Sequence, residues 1–375
     1  MAGILDIQKP IVYDESIAHY ELHAHQPYAS STLNNNDEIR ICVQNQGLCL
    51  LLNKSTLHIT GKFTKSDGTA VNETMELVNM AVCHMIEELS LLLNGVVIDQ
   101  CQNVAITCLM KSYTSLSPGQ RNLMENAGWL MGDANKLTND DGYFDVSIPL
   151  SVVLGFAEDY NRIVMNATYE LVIRRSNTDL NAYIHKPATV TDVAANVKIT
   201  PNKELYEYPL LPATTKHIWQ IKTSTQLEKP RYVILGFQTA RKNAVKKDAS
   251  QFDHCNLRDV KLFLNSQSYP YGNLNLDIDR NQYALLYDMY TNFQTSYYGK
   301  EPEPLLTKAA FLKEAPLYVI DCSKQNEAIK SGPVDVRVEF ESKVPFSPQT
   351  SAYCLILHDR IIEYNPISNN VRKLM

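Results

Sequence analysis

Apolar and polar residues alternate with a period of two over much of this 375-residue chain, and this pattern constrains its fold most strongly. In 144–152 every even-numbered residue is apolar, and from Val334 to Glu341 the alternation is strict. Successive side chains of a β-strand point to opposite faces, so each such segment predicts a strand with one buried face. Helical periodicity is rare, and no alternation of strands with helices is present. The pattern therefore predicts an all-β sandwich and argues against a parallel-sheet enzyme.

More than a dozen short strands are predicted, separated by turns rich in Asn, Gly, Pro and Asp. Pro149 lacks a backbone N–H and falls on the polar face of its segment, which predicts a strand edge or a bulge there. The predicted strands are 18–25, 38–43, 57–63, 86–93, 144–152, 167–175, 193–199, 216–222, 231–239, 258–264, 316–322, 334–341 and 352–358.

Two helical stretches match each other at an offset of 180 residues. Both carry apolar residues at positions i, i+3, i+4 and i+7, which predicts short helices in 101–115 and 279–293. Identical residues precede each helix at the same offset, Asp99 with Asp279 and Gln102 with Gln282. The apolar positions are Ile106, Leu109, Met110 and Tyr113 in the first copy and Leu286, Met289, Tyr290 and Phe293 in the second.

Each helix follows a predicted strand that ends in Leu-Asn, at Asn94 and at Asn265, where the offset is 171 residues. Order and spacing thus recur over a whole domain length, which indicates two copies of one domain. The proline-containing segment 199–215 suits a linker. We expect one domain in 1–205 and a second in 206–375, although a single large sandwich with accidental similarity is the alternative interpretation of the pattern.

Charge, cysteine spacing and the start of the chain argue against a basic phosphate-binding arm, disulfides and secretion. The formal net charge is −6, and neither terminus carries the cluster of Lys and Arg that a phosphate-binding arm needs. The eight cysteines show no CxxC spacing, which favours buried free thiols over disulfides. The start of the chain lacks the pattern of a signal peptide, and we expect the protein not to be secreted.

Histidine and cysteine pairs are the first candidates for a metal site. His23 and His25 would share one face of a strand, as in the metal-binding cupins, but no carboxylate follows at the cupin spacing, so a polar strand face is favoured. The pair Cys83-His84 and the pair His254-Cys255 precede equivalent strands. Adjacent ligands alternate faces in a strand, so we expect a packed Cys beside an exposed His and no metal.

Acidic pairs are the next candidates, because a glycosidase needs two carboxylates close in space. Glu87-Glu88, Asp140-Asp141 and Asp277 with Asp279 look like strand ends or solvated turns. The triplet 358–360, His-Asp-Arg, has no serine nearby in a nucleophile-elbow context. No nucleotide-binding or metalloprotease motif occurs. We therefore predict no catalytic, cofactor-binding or metal-binding residues.

Two further segments bear on partners. The basic stretch 241–247 is the one dense positive patch, and a solvated loop is favoured over a contact with nucleic acid. Tyrosines are concentrated in 269–298. They suit either a protein–protein contact or packing at the edge of a sandwich core.

The second half resembles a known family most clearly. The chain is similar to the double-jelly-roll major capsid proteins of DNA viruses and of Polinton/Maverick and adintovirus-like elements, including copies in invertebrate genomes. The first half matches more loosely, and no catalytic signature takes part. The resemblance is carried by 229–238 (KPRYVILGFQ), 252–257 (FDHCNL), 260–265 (VKLFLN), 269–271 (YPY), 296–299 (SYYG), 321–325 (DCSKQ) and 358–365 (HDRIIEYN).

This resemblance implies two tandem eight-stranded jelly-roll sandwiches, each with a short inserted helix, and a structural role without enzymatic activity. It implies a homotrimer with a pseudo-sixfold outline, and neighbouring trimers that tile an icosahedral shell. Further implied partners are a single-jelly-roll penton protein, minor capsid proteins and an internal membrane. The protein would reside in the virion after synthesis in the host cytoplasm or nucleus, without cofactor and without sequence-specific nucleic acid binding.

Two other functions stay open at this point. A two-domain jelly-roll hydrolase, either a glycan amidase or glycosidase or a cupin-like enzyme, predicts acidic or metal-binding side chains that converge between the domains. A carbohydrate-binding module predicts an exposed aromatic shelf and a monomer. The capsid interpretation predicts a trimer.

Overall fold

The computed structural model describes residues 21–28, 34–43, 49–64, 75–130, 136–185, 207–208, 210–221, 230–324, 334–358 and 361–374. The strands in these residues are β1 (Glu38–Val43), β2 (Thr56–Lys62), β3 (Met75–Leu77), β4 (Ile86–Leu93), β5 (Val96–Gln102), β6 (Tyr143–Pro149), β7 (Tyr169–Arg175), β8 (Tyr183–His185), β9 (Glu207–Tyr208), β10 (Lys216–Ile221), β11 (Pro230–Thr239), β12 (Leu257–Leu264), β13 (Gln267–Tyr269), β14 (Tyr318–Asp321), β15 (Val336–Ser342), β16 (Thr350–His358), β17 (Ile361–Asn365) and β18 (Asn370–Leu374). The α-helices are α1 (Ala81–His84), α2 (Val104–Ser115), α3 (Pro118–Met124), α4 (Leu150–Val153), α5 (Gly155–Asp159), α6 (Ala284–Tyr298) and α7 (Lys308–Glu314).

The second half forms two four-stranded antiparallel sheets with strand orders β10-β15-β12-β13 and β14-β11-β16-β9. These eight strands have the order of a jelly roll, in which two Greek keys fold into facing sheets. In the first half the sheet β1-β7-β4-β5 has the same order as β10-β15-β12-β13, and the pair β2-β6 corresponds to β11-β14. The predicted all-β fold of two tandem jelly rolls is confirmed.

The two halves agree in their hydrogen bonds as well as in strand order. The Asn94 backbone N–H donates to the Thr168 carbonyl at 2.9 Å, and the Asn94 side-chain oxygen accepts from the Thr168 N–H at 2.8 Å. Asn265 makes the same two bonds with Asp335, at 2.9 and 2.8 Å. Both asparagines have φ near +50°, a conformation that Asn tolerates better than most residues. The repeated Leu-Asn pair of the sequence therefore marks one turn built twice.

A β-bulge is duplicated in the same way. The pairing of β4 with β7 shifts register between Ile86 and Glu88. The pairing of β12 with β15 shifts between Leu257 and Asp259. These positions are 171 residues apart, as the turns are. Bulges are local features that strand packing does not require, so their repetition supports the duplication of a whole domain.

The helix α2 is inserted between β5 and β6 of the first jelly roll, and α6 is inserted between β13 and β14 of the second. Their first residues, Val104 and Ala284, are 180 residues apart, as the sequence predicted. The second helix ends later than predicted, at Tyr298, where Gly299 takes φ +64° and terminates it. Each is followed by a short helix, whose N-terminus is capped by Ser117 in α3 and by Thr307 in α7.

Buried apolar side chains form one main cluster that extends through both jelly rolls. In the second jelly roll an aromatic group surrounds Phe237, whose ring centroid lies 5.2 Å from Phe340, 6.0 Å from Phe346 and 6.1 Å from Tyr318. Next to it, Gly236 leaves space for the ring of Phe252, which a Cβ atom would approach to 2.7 Å. A larger residue at 236 would therefore clash with the core.

Some predicted strand boundaries are wrong. Residues 150–152 were expected to continue a strand, but β6 ends at Pro149 and Leu150–Val153 form α4. Pro149 stands at the strand end, where its missing N–H costs no ladder bond. In the predicted strand 18–25, residues 21–25 have no regular secondary structure. The predicted strand 193–199 lies outside the described residues.

The eight cysteines are free. Five of them are buried, as the sequence predicted, whereas Cys42 and Cys255 are half-buried and Cys49 is exposed. Among the residues that the structure describes, no helix has the length and apolar character needed to span a membrane.

Candidate functional site: the junction between the two jelly rolls

The two inserted helices bring the jelly rolls together. Gln294 of α6 is 5% exposed, and its side-chain amide donates to the carbonyl oxygens of Ser115, at 3.4 Å, and of Leu116, at 3.2 Å. The last carbonyls of a helix have no partner within the helix. A side chain of the second jelly roll thus provides the hydrogen-bond donor for the carbonyl groups at the end of α2 in the first jelly roll. The Gln294 amide nitrogen also donates to the Glu303 carbonyl oxygen, and the Gln294 amide oxygen accepts from the Glu303 backbone N–H.

A charged group lies beside this helix end. The Lys111 ammonium forms an ion pair with Glu158, and their side chains are only 12% and 21% exposed. The Tyr298 hydroxyl, from the second jelly roll, lies 2.7 Å from the Glu158 carboxylate and 3.1 Å from the Ser115 hydroxyl. Burial raises the pKa of Tyr298, so the phenol stays protonated and donates. The ion pair therefore links the two domains through a neutral tyrosine.

Tyr113 makes a third connection. Its ring packs edge to face on Trp129 of the first jelly roll, at 5.0 Å between centroids, and on Phe252 of the second, at 6.5 Å. Its hydroxyl lies 3.4 Å from the Ser250 carbonyl oxygen. Because aromatic and hydrogen-bonding contacts both cross the junction, the relative orientation of the two domains is specified by packing.

Sequence reasoning missed Lys111, Glu158 and Gln294. Gln294 follows the buried Tyr290 by four residues, so it is a polar residue on the apolar side of α6. That position was a usable signal, because a buried amide needs hydrogen-bond partners. No pattern in the sequence would have paired Lys111 with Glu158, since the two lie 47 residues apart.

The outer face of the sheet β1-β7-β4-β5 carries a second polar network. Glu88 accepts hydrogen bonds from Ser90, Gln100 and Arg174 at 2.9–3.1 Å. The sequence-based expectation that the pair 87–88 looks like a strand end is wrong for Glu88, which lies within β4 and is 9% exposed. Its three donors replace the water that burial removes.

The other candidate carboxylates lie in an exposed turn or are bound to a lysine. Asp140 and Asp141 lie in an exposed turn. Asp277 and Asp279 both bind the Lys343 ammonium, at 3.0 and 2.8 Å. Of the triplet 358–360, His358 ends β16, and the other two residues lie outside the described part of the chain.

The histidine and cysteine pairs do not form a shared site. His23 pairs with Glu21 at 2.7 Å in a segment without regular structure, so the same-face argument for His23 and His25 does not apply. His254 accepts from the Asn256 N–H at 3.1 Å. Among the described residues, no three His, Cys, Asp or Glu side chains are placed as metal ligands would be.

The expectation of an exposed His beside a packed Cys is wrong for Cys83-His84, because both residues are buried in α1. Burial lowers the pKa of His84 from 6.5 to about 4, and its Nε2 atom has no hydrogen-bond partner among the described residues. The helix α1, absent from the prediction, turns this pair inward ahead of β4.

His84 predicts a loss of stability in mild acid. Its pKa is lowered on folding, so the unfolded chain takes up a proton first as the pH falls below about 6.5. Between pH of about 7.5 and about 5 the folded state should lose about 2 kcal/mol from this group. Urea unfolding of the wild type and of His84→Gln at both values measures the effect, and the variant should lose less. An equal loss in both proteins would contradict the assignment.

The basic stretch 241–247 is a structured turn. Arg241 binds both oxygens of the Asp253 carboxylate, at 2.8 and 2.9 Å, and Lys247 donates to the Thr239 carbonyl oxygen at 2.9 Å. These two cations thus hold the turn together.

The tyrosines of 269–298 are mostly packed inside. Tyr283 and Tyr290 are buried, whereas Tyr271 is 94% exposed. Tyr287, Tyr297 and Tyr298 are half-buried against the main cluster. Of the two interpretations of this segment, the structure favours packing at the edge of the core.

A family model and a solved structure similar to this chain agree with this architecture. The family model of the double jelly roll-like domain matches the sequence twice, over 75–201 and 195–362. The crystal structure of the mavirus major capsid protein is similar with a TM-score of 0.54 at 10% identity, covering 99% of this chain and 93% of that chain. The cryo-EM structure of the Sputnik virophage gives a TM-score of 0.48 at 12% identity, covering 98% and 93%. A search of the curated proteins gives no match.

Proposed function

Since the chain belongs to the family of proteins with a double jelly roll-like domain, we propose that it is a structural major capsid protein and not an enzyme. The observation that carries the proposal is the duplication: two jelly rolls that share the strand order of one four-stranded sheet, the same bulge and the same asparagine turn, joined by a packed junction. The mavirus protein of the same fold is a major capsid protein, which supports this role.

Duplication has a geometric use in a shell. Three copies of a chain with two similar domains form a ring of six similar units, which packs as a hexagon without six separate chains. On this argument, the protein forms a homotrimer that packs against neighbouring trimers. The single-jelly-roll penton protein, minor capsid proteins and an internal membrane belong to the same proposal by family resemblance, as does a place in the virion after synthesis in the host cytoplasm or nucleus.

The domain boundary between residues 205 and 206 is part of the proposal. The two family matches meet at 195–201, and β9 at 207–208 pairs with β16 of the second jelly roll. Both observations support a joint within the proline-containing linker.

The trimer is the feature that tests this function. The purified chain is expected to have three times the monomer mass in analytical ultracentrifugation at micromolar concentration. Negative-stain electron microscopy should show particles with a sixfold outline. A monomer that persists at high concentration, with no regular particles, would contradict the proposal.

A further inference from the structure

The C-terminal hairpin, formed by β17 and β18, crosses from the second jelly roll to the first. It follows β16 after two residues, and its strands pair from Ile361 with Leu374 to Asn365 with Asn370. An isolated two-stranded hairpin is marginally stable in water and needs a surface to pack on. The second family match ends at residue 362, so most of the hairpin lies beyond it.

The contacts of the hairpin lie on the first jelly roll. The Tyr364 hydroxyl lies 2.8 Å from the carbonyl oxygens of both Met165 and Asn166, which share its single proton. The Asn94 side-chain amide donates to the Asn369 carbonyl oxygen at 3.1 Å. The Asn166 amide reaches the Pro366 carbonyl oxygen at 3.4 Å. Val371 is buried and belongs to the main apolar cluster.

These contacts fall on a duplicated turn, and this makes them informative. Asn94 and Asn265 hold the same turn in the two jelly rolls, through the same backbone bonds. The Asn94 side-chain amide donates a hydrogen bond to the hairpin. Among the described residues, Asn265 makes no hydrogen bond to the hairpin. The hairpin thus distinguishes the two otherwise matching domains.

We propose that the hairpin is a strap that fixes the angle between the two jelly rolls, in addition to the helix junction. A ring of six domains closes only if the angle within each chain matches the angle between chains, so the strap is a positioning element for assembly. This consequence rests on the proposed function. The fixed angle itself does not.

The test compares matched variants. Tyr364→Phe removes the shared hydroxyl and has Tyr271→Phe, at a fully accessible tyrosine, as its control. Asn94→Gly keeps a residue that accepts positive φ and loses both the turn bond and the strap bond. Asn265→Gly loses only the equivalent turn bond. Deletion of 361–375 removes the whole strap.

The angle is measured first, on the full-length chain. Nitroxide labels on noncanonical residues at the exposed positions Thr60 and Ile218 report the distance between the jelly rolls. Tyr364→Phe, Asn94→Gly and the deletion should broaden that distance distribution, and amide exchange in 163–167 should rise about tenfold, since the strap bonds are lost. The two controls should match the wild type. Unchanged distributions in the strap variants, or equal broadening in the controls, would overturn the strap.

Assembly is measured second, by the fraction of particles with a sixfold outline. Strap variants should lose at least half of these particles while the controls keep them. Because the distance measurement needs no trimer, a wild type that fails to assemble would refute the proposed function and leave the strap tested. Strap variants with a broadened angle that still assemble normally would overturn the positioning role.

Discussion

Phe237→Ala is expected to lower the free energy of unfolding of the second jelly roll by about 3–5 kcal/mol, the range for a fully buried phenylalanine. The Phe237 side chain has no exposed surface, and it contacts the rings of Tyr318, Phe340 and Phe346. Alanine leaves a cavity that this rigid aromatic group cannot collapse into. For a domain of this size the unfolding midpoint should fall by about 10 °C.

The measurement is thermal and urea unfolding followed by near-ultraviolet circular dichroism, which reports the packing of aromatic rings. Tyr271→Ala is the matched control, because it also deletes an aromatic ring but at a 94% exposed position. We expect the control to stay within about 0.5 kcal/mol of the wild type. If Phe237→Ala is as stable as the control, Phe237 is not packed in the core around β11 as described.

Alternation and spacing were sufficient to predict most of the fold. β1 and β4 have the predicted bounds, 38–43 and 86–93. The apolar residues of β1 alternate with polar ones, as the period of two requires. The first helix was predicted as 101–115 and occupies Val104–Ser115. Local errors arose where tertiary packing overrides local pattern, as at α4, whose apolar residues fit a strand and a short helix equally well.

The polar partners across the junction and the strap could not be predicted from the sequence, although the position of Gln294 on the apolar side of α6 marks it as a buried amide. The junction and the strap are built from polar contacts between residues far apart in the chain, as between Tyr364 and Met165 or between Gln294 and Leu116. Such contacts leave no periodic signal. The burial of Glu88 was missed for the same reason, since its donors come from three strands. Apolar patterns specify which face is buried, whereas the partners of polar groups depend on the folded arrangement.

Lys111→Met is expected to destabilise the junction by about 3 kcal/mol, a typical cost of removing one member of a largely buried ion pair. Among the residues that the structure describes, Glu158 would keep only the Tyr298 hydroxyl as a donor, while its carboxylate stays mostly out of water. The charge of Glu158, more than the lost contact, causes the penalty. Urea unfolding measures the change, and the distance between the two jelly rolls should become more variable.

This explanation makes a sharper prediction for the double variant. In Lys111→Met combined with Glu158→Gln, no charge is left buried, and the glutamine oxygen still accepts from Tyr298. The double variant should therefore be more stable than Lys111→Met alone, by more than 1 kcal/mol, and the single variant Glu158→Gln completes the double-mutant cycle that isolates the coupling. If instead Lys111→Met and the double variant are equally unstable, the loss comes from the packing of the lysine stem in the junction, and the ion pair has no part in holding the two domains together.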